Sequence, residues 1–153
     1  MSKPLHIIIL AAGEGTRMKS NRPKMLQNVG GRPMITHLLD TASALTGEKN
    51  HVVIGSGSEA VQEACAGYPV DWVYQAERRG TGHAVMQAMP GVPDDADVLV
   101  LLGDTPLIPV ELLADMVEAF RGPLSLLTME LEDPAGYGRV LRDPGGNIIG
   151  VVE

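Results

Sequence analysis

Two apolar runs, Leu5 to Ala11 (interrupted only by His6) and Val98 to Leu102, most narrow what this chain can fold into. A strand with one wet face alternates polar and apolar residues. A strand that does not alternate is expected to be covered on both faces, as in parallel sheets whose crossovers are helices. The segments between and beyond these runs carry helical spacing instead. Pro33 suits a helix start, and Ile35, Leu38, Leu39, Ala42 and Leu45 recur on one face behind it. Further strands are predicted at 51–55 and 70–74, with helices at 58–66, where Ser58 is a plausible N-cap, at 82–89 and at 109–120. Four β-α alternations predict an α/β chain with a mostly parallel sheet and helices on both faces. Toward the end, 124–131 reads as another strand, and 139–142 pairs with 147–152 around the turn Asp143-Pro144-Gly145-Gly146.

With 153 residues the chain fits one ordinary domain. Its net charge of −7 argues against a surface that coats nucleic acid, which needs a basic stripe. A nucleotide ligand is still compatible, because one loop with an Arg and a Lys can hold a triphosphate. Cys65 is the only cysteine, so no internal disulfide or thiolate metal cage is available, and it reads as a small buried hydrophobe. The N-terminal apolar stretch is too short for a signal peptide or a membrane span, and a cytoplasmic location is expected by default. The last residues, Val151-Val152-Glu153, read as mid-strand, which leads us to expect a longer parent protein.

The chemistry concentrates after the first strand, in Leu10-Ala11-Ala12-Gly13-Glu14-Gly15-Thr16-Arg17-Met18. In an open α/β sheet ligands sit beyond the carboxyl ends of the strands. Gly13 and Gly15 let backbone amides approach an anion without a Cβ in the way. The Walker pattern is absent because no Gly-Lys pair exists, and Met18 stands where the dinucleotide fingerprint needs its third Gly. Arg17 closes the loop, and Lys24 follows in Arg22-Pro23-Lys24. An Arg fork and a Lys point charge near one amide nest suit a polyphosphate, although two surface cations beside a flexible loop would look the same.

At the end of the run Val98 to Leu102 stands Gly103-Asp104-Thr105-Pro106-Leu107. A carboxylate there faces the crevice, and Asp104 is the best single candidate for a Mg²⁺ ligand. An Asp that caps a turn before Thr-Pro is the competing reading. The acidic group Asp94, Asp95 and Asp97 lies at the entry end of the strand and reads as a solvated loop. Gln75 ends the third strand on the same edge as Asp104, and its amide suits a pyrimidine edge with a ring N–H beside a carbonyl. Gly80 and Thr81 offer backbone contacts at the next helix start. His83 reads as structural rather than as a base, and His6, His37 and His51 are too scattered for a metal site.

Taken together, residues 10–20 with Arg22-Pro23-Lys24-Met25-Leu26 closely resemble the signature of the sugar-1-phosphate nucleotidyltransferases. Three more stretches narrow the resemblance to the uridylyltransferases that make UDP-N-acetylglucosamine: Gln75-Ala76-Glu77 with Gly80-Thr81-Gly82-His83-Ala84, Gly103 to Leu107, and Asp133 to Arg139. The resemblance implies a Rossmann-like pyrophosphorylase fold that uses UTP, N-acetylglucosamine 1-phosphate and Mg²⁺. It further implies that Leu10, Ala11, Ala12 and Gly13 hold the nucleotide, with Arg17 and Lys24 as the catalytic cations at the phosphates. Gln75, Gly80 and Thr81 would read uracil, Leu102, Gly103 and Asp104 would reach ribose and metal, and Gly138 and Glu153 would contact the sugar. In that family the domain continues beyond a stretch of this length, supplying a second metal ligand. A left-handed β-helix acetyltransferase then follows and trimerises the enzyme. On that reading the 153-residue chain alone is inactive or nearly so. A transferase for another base or sugar, or a non-catalytic nucleotide-binding module, are the alternatives.

Overall fold

The computed structural model describes residues 3–13, 15, 18–77 and 79–152. The chain divides into two units, Met1–Ala119 and Phe120–Glu153. In the first, strand β1 (Leu5–Leu10) leads through a 3-10 turn at Lys24–Leu26 and a small hairpin, β2 (Asn28–Val29) and β3 (Arg32–Pro33). Helix α1 (Met34–Leu45), β4 (Asn50–Ile54), α2 (Glu59–Ala64), β5 (Val70–Tyr74) and α3 (Thr81–Ala88) follow in alternation. Strand β6 (Asp97–Leu102) and α4 (Val110–Ala119) complete the unit. The hairpin turns on Gly30 and Gly31, whose φ values of 57° and 85° suit glycine.

The sheet is all parallel, in the order β5-β4-β1-β6. The first of the two runs that do not alternate lies in β1, which is interior together with β4, and Ile7, Ile8, Ile9, Val52 and Val53 are all fully buried. Ile7, Ile9, Leu99 and Leu101 pack with Ile35, Leu38 and Leu39 of α1, Val61 of α2 and Leu113 of α4. Ile8 and Val53 point the other way, against Ala84 and Ala88 of α3 and against Val92. Helices therefore cover both faces, as the alternation predicts. Cys65 is buried in the first of these clusters, and burial pushes its thiol up to about 11, which leaves it an inert hydrophobe.

Three expectations need correction. Among the described residues β6 is an outer strand, and one of its faces is only partly covered, with Val98 packed against the α3 cluster. Leu99 and Leu101 are buried, whereas Val100 and Leu102 are 39% and 46% exposed. Its apolar composition promised burial on both sides, but α3 packs over β1, β4 and β5 instead. Residues 124–131 form no strand, and Leu124, Leu127 and Met129 are exposed. Strand composition becomes a strand only where a neighbour supplies the hydrogen-bond ladder, and none pairs with this segment among the described residues. Ser58 occupies the N-cap position of α2, yet its hydroxyl donates to Gly55 O at 2.7 Å rather than capping the helix. The second unit holds the expected hairpin, β7 (Arg139–Arg142) with β8 (Ile148–Val152), closed where Gly146 N donates to Asp143 O.

Two features set expectations for stability. His6 and His51 are buried beside one another, with rings stacked and His6 Nδ1 3.2 Å from His51 Nε2. Burial, and next the neighbouring His6, lower the His51 pKa from its ordinary 6.5. Unfolded chains therefore take up a proton at a higher pH than the folded protein does. Stability declines as pH falls through 6.5, and thermal melts at successive pH values should show it. His51→Val should flatten that decline. At the head of the sheet, a Cβ added to Gly103 would lie 2.5 Å from Leu10 O and 2.8 Å from Met25 Sδ. Gly103→Ala is expected to cost about 1–3 kcal/mol in denaturant unfolding through overpacking.

Candidate nucleotide-binding site

The chain runs outward from β1 through β4 to β5, then returns to the other side of β1 as β6. The order reverses between β1 and β6, and in open α/β sheets it is at such a point, beyond the carboxyl ends of the strands, that a ligand crevice is expected. The two ends are held together tightly. Leu10 pairs with Leu102, and Gly103 N donates to Leu10 O at 2.9 Å. Met25 fills the space beside Gly103, so that the segment after the Gly-rich loop is packed under the end of β6.

Leu10 to Gly13 leaves β1 over this crevice, anchored where Ala11 N donates to Val53 O at 2.8 Å. Gly15 has φ of 64°, and a Cβ there would fall 2.7 Å from Lys24 Cβ. Lys24 thus lies directly across the backbone of the loop. Its position is fixed from below by Gln27, whose side-chain amide donates to Ser20 Oγ and to Arg22 O, both at 3.0 Å. The Lys24 ammonium crosses to the other wall and donates to Asp104 Oδ2 at 2.8 Å. Residues eighty positions apart in sequence therefore meet in the crevice. The pair is partly solvated, with side chains 22% and 52% exposed, so its contribution to stability is small. A cation aimed at a carboxylate at the mouth of an α/β crevice is more telling as chemistry.

Further along the same edge, Gln75 follows β5 and is 4% exposed. Its backbone N–H donates to Ile54 O at 2.8 Å, continuing the sheet by one residue. The side-chain amide lies 3.0 Å from His83 Nδ1 and 3.4 Å from Gly80 O. Gly80 has φ of 94° and ψ of 177°, a conformation open to glycine alone, and Thr81 begins α3 directly after it. The first turn of that helix presents backbone N–H groups without intrahelical partners.

The structure thus brings Leu10, Ala11, Ala12, Gly13, Lys24, Gln75, Gly80, Thr81, Leu102, Gly103 and Asp104 to one edge of one sheet. Arg17 and Glu153 lie outside the described residues. Gly138 belongs to the second unit, just before β7. Asp94 and Asp95 stand in the turn at the opposite end of β6 from the site, as expected, whereas Asp97 is not in a loop: it opens β6, opposite Leu5, and faces Lys3 at 3.8 Å. The sequence reading passed over a further wall. Gly55, Ser56, Gly57 and Ser58, after β4, line a polar cleft with Ala11 to Gly13, Ser20 to Arg22 and Lys24. The signal was present, since a Gly-Ser-Gly-Ser stretch at the carboxyl end of a strand occupies a ligand-binding edge.

Asp104 offers hard oxygen ligands and already takes a cation, the Lys24 ammonium. No group of three or more His, Cys, Asp or Glu side chains that could cage a metal exists among the described residues. One carboxylate without a cage fits an ion that arrives with substrate phosphates and keeps several waters, which is the habit of Mg²⁺.

The chain is 55% identical over its full length to the bifunctional protein GlmU of Alkalilimnicola ehrlichii, and 53% identical to that of Stenotrophomonas maltophilia. It spans about a third of the length of these curated relatives. Among solved structures, 4-diphosphocytidyl-2C-methyl-D-erythritol synthase from Anaerococcus prevotii matches with a TM-score of 0.63 and 21% identity, over 96% of this chain and 62% of that one. That likeness shows the fold, a Rossmann-like nucleotide-diphospho-sugar transferase fold. Residues 7–136 match the model of the MobA-like NTP transferase domain, and the chain belongs to that family.

Proposed function

We propose that this chain carries the uridylyl-transfer site of an enzyme that joins UTP to N-acetylglucosamine 1-phosphate. The products are UDP-N-acetylglucosamine, a cell-wall precursor, and pyrophosphate, and the reaction is Mg²⁺-dependent. The observation that carries the reading is Lys24 reaching from the Gly-rich loop to Asp104 at the β1/β6 crevice, with Gln75 on the same edge. The identity to bifunctional GlmU proteins along the whole chain supports the choice of substrates. On this reading the chain is the N-terminal part of a pyrophosphorylase domain, and a trimerising acetyltransferase belongs to the longer protein. Residues beyond these 153 then complete the sugar site and the metal's ligand set, so the chain alone has little or no turnover.

In this mechanism an oxygen of the sugar phosphate attacks the α-phosphorus of UTP in line. The bond to the pyrophosphate oxygen breaks as the new P–O bond forms, so no covalent enzyme intermediate is needed. The protein positions the reactants and meets the charge that grows on the transferred group. Loop amides around Gly13 and Gly15 cradle the phosphates, and Arg17 and Lys24 neutralise their oxygens. Asp104 would hold Mg²⁺, which when bound would supply Lewis-acid chemistry at the phosphates. Gln75 and the start of α3 hold the base. Gly138 and Glu153 are assigned to the sugar on family resemblance.

The deciding assay measures Mg²⁺-dependent pyrophosphate release, by the chain and by the longer protein that contains it, with several nucleotide and sugar 1-phosphate pairs. UTP with N-acetylglucosamine 1-phosphate should be fastest. A faster pair with another base or sugar would replace the substrate assignment, and nucleotide binding without release by the longer protein would make this a non-catalytic module. In the complete enzyme Asp104→Asn should cut turnover by about two orders of magnitude or more. Near-normal release by that variant would remove Asp104 from the metal site.

A further inference from the structure

Gln75 is a buried amide whose two ends differ in what they can offer a ligand. Its nitrogen lies 3.4 Å from Gly80 O and 3.0 Å from His83 Nδ1, while its oxygen makes no hydrogen bond among the described residues. A backbone carbonyl can only accept. The group between Gly80 O and the imidazole must therefore be the NH₂, because an oxygen there would face another oxygen. Both amide hydrogens are then engaged, one on Gly80 O and one on His83 Nδ1. Rotating the amide by half a turn would set its oxygen against Gly80 O and would require His83 Nδ1 to carry the ring proton instead.

The same geometry constrains His83. To accept from Gln75, Nδ1 must be unprotonated, which places the ring proton of a neutral imidazole on Nε2. The amide of Gln87 lies 3.3 Å from that Nε2 and 3.4 Å from His83 O. An imidazole with one proton cannot accept from both amides. Gln87 is the one that yields, because its 3.3 Å contact with Nε2 is longer than the 3.0 Å contact of the buried Gln75 with Nδ1. His83 is thus held on the inner side of α3 with its acceptor nitrogen toward Gln75.

We propose that His83 is a positioning residue that locks Gln75 with its oxygen toward the bound base, making the site selective for a base whose ring nitrogen carries a proton. The inference rests on the reading of Gln75 as a base contact and deepens it. An acceptor-only contact pairs with N3–H of uracil and repels the bare N3 of cytosine. The adjacent base carbonyl would be met by first-turn N–H groups of α3 rather than by Gln75. Specificity then comes from a side chain that need not touch the ligand.

Binding of UMP and CMP to the protein, which needs no turnover, tests this. The wild type should favour UMP by about ten-fold or more, the loss expected when one buried polar contact is mispaired. His83→Leu keeps the volume but removes the acceptor, and its preference should fall below about three-fold, mainly through weaker UMP binding. His83→Asn puts an amide oxygen close to the place of Nδ1 and should restore the preference. A His83→Leu variant that discriminates like the wild type overturns the proposal. Equal or absent binding of both nucleotides by the wild type would instead sink the uracil assignment itself. The ¹⁵N shifts of His83 give a readout that does not depend on any variant folding. A protonated Nε2 with a bare Nδ1 is expected, and the opposite tautomer refutes the lock.

Discussion

The closeness of β1 and β6 at their carboxyl ends governs everything else in the site. Gly103 donates its N–H to Leu10 O and has no room for a side chain between that carbonyl and Met25. Because the strand ends touch, the loop after β1 and the turn after β6 share one crevice, and a lysine side chain is long enough to cross it. Separating the strands by even a methyl group would shift Asp104 relative to Lys24. A glycine, without a side chain of its own, thus sets the distance between Lys24 and Asp104.

Around this junction the site uses two kinds of holding. On the β6 side the contact is a largely solvated ion pair, easily exchanged, which the proposed function would need of groups that change partners on binding phosphates. On the β5 side the contact is a buried amide tied at both hydrogens, which is costly to rearrange. The proposed nucleotidyl transfer would need both behaviours. Charge must be able to shift where the bond is made, and the base should be read by something that does not move.

Much of the molecule was legible in the residues. The run Ile7-Ile8-Ile9 and the spacing of Ile35, Leu38 and Leu39 announced a covered strand and the helix on it, and both occupy the core. Composition misled at β6 and at 124–131 for one reason. Apolar residues report a preference for burial, whereas burial itself depends on what the rest of the chain brings alongside. Val100 and Leu102 have that preference, yet α3 packs elsewhere.

The sequence by itself narrowed the site to the Gly-rich loop with Lys24 and to Asp104, and the resemblance of those stretches to the nucleotidyltransferases, rather than their spacing alone, pointed to the chemistry. The sequence determined the alternation of strand and helix as well, since periodicity is a local property. Only the tertiary structure decided that Lys24 meets Asp104, because no local pattern relates residues eighty positions apart. It alone gave His83 a use. Read along the chain, His83 was an isolated histidine in a helix's first turn. In three dimensions its ring nitrogen stands 3.0 Å from Gln75, because α3 packs against the sheet edge where β5 ends. A hydrogen bond's direction depends on where both partners are held, and that information exists only once the chain has folded.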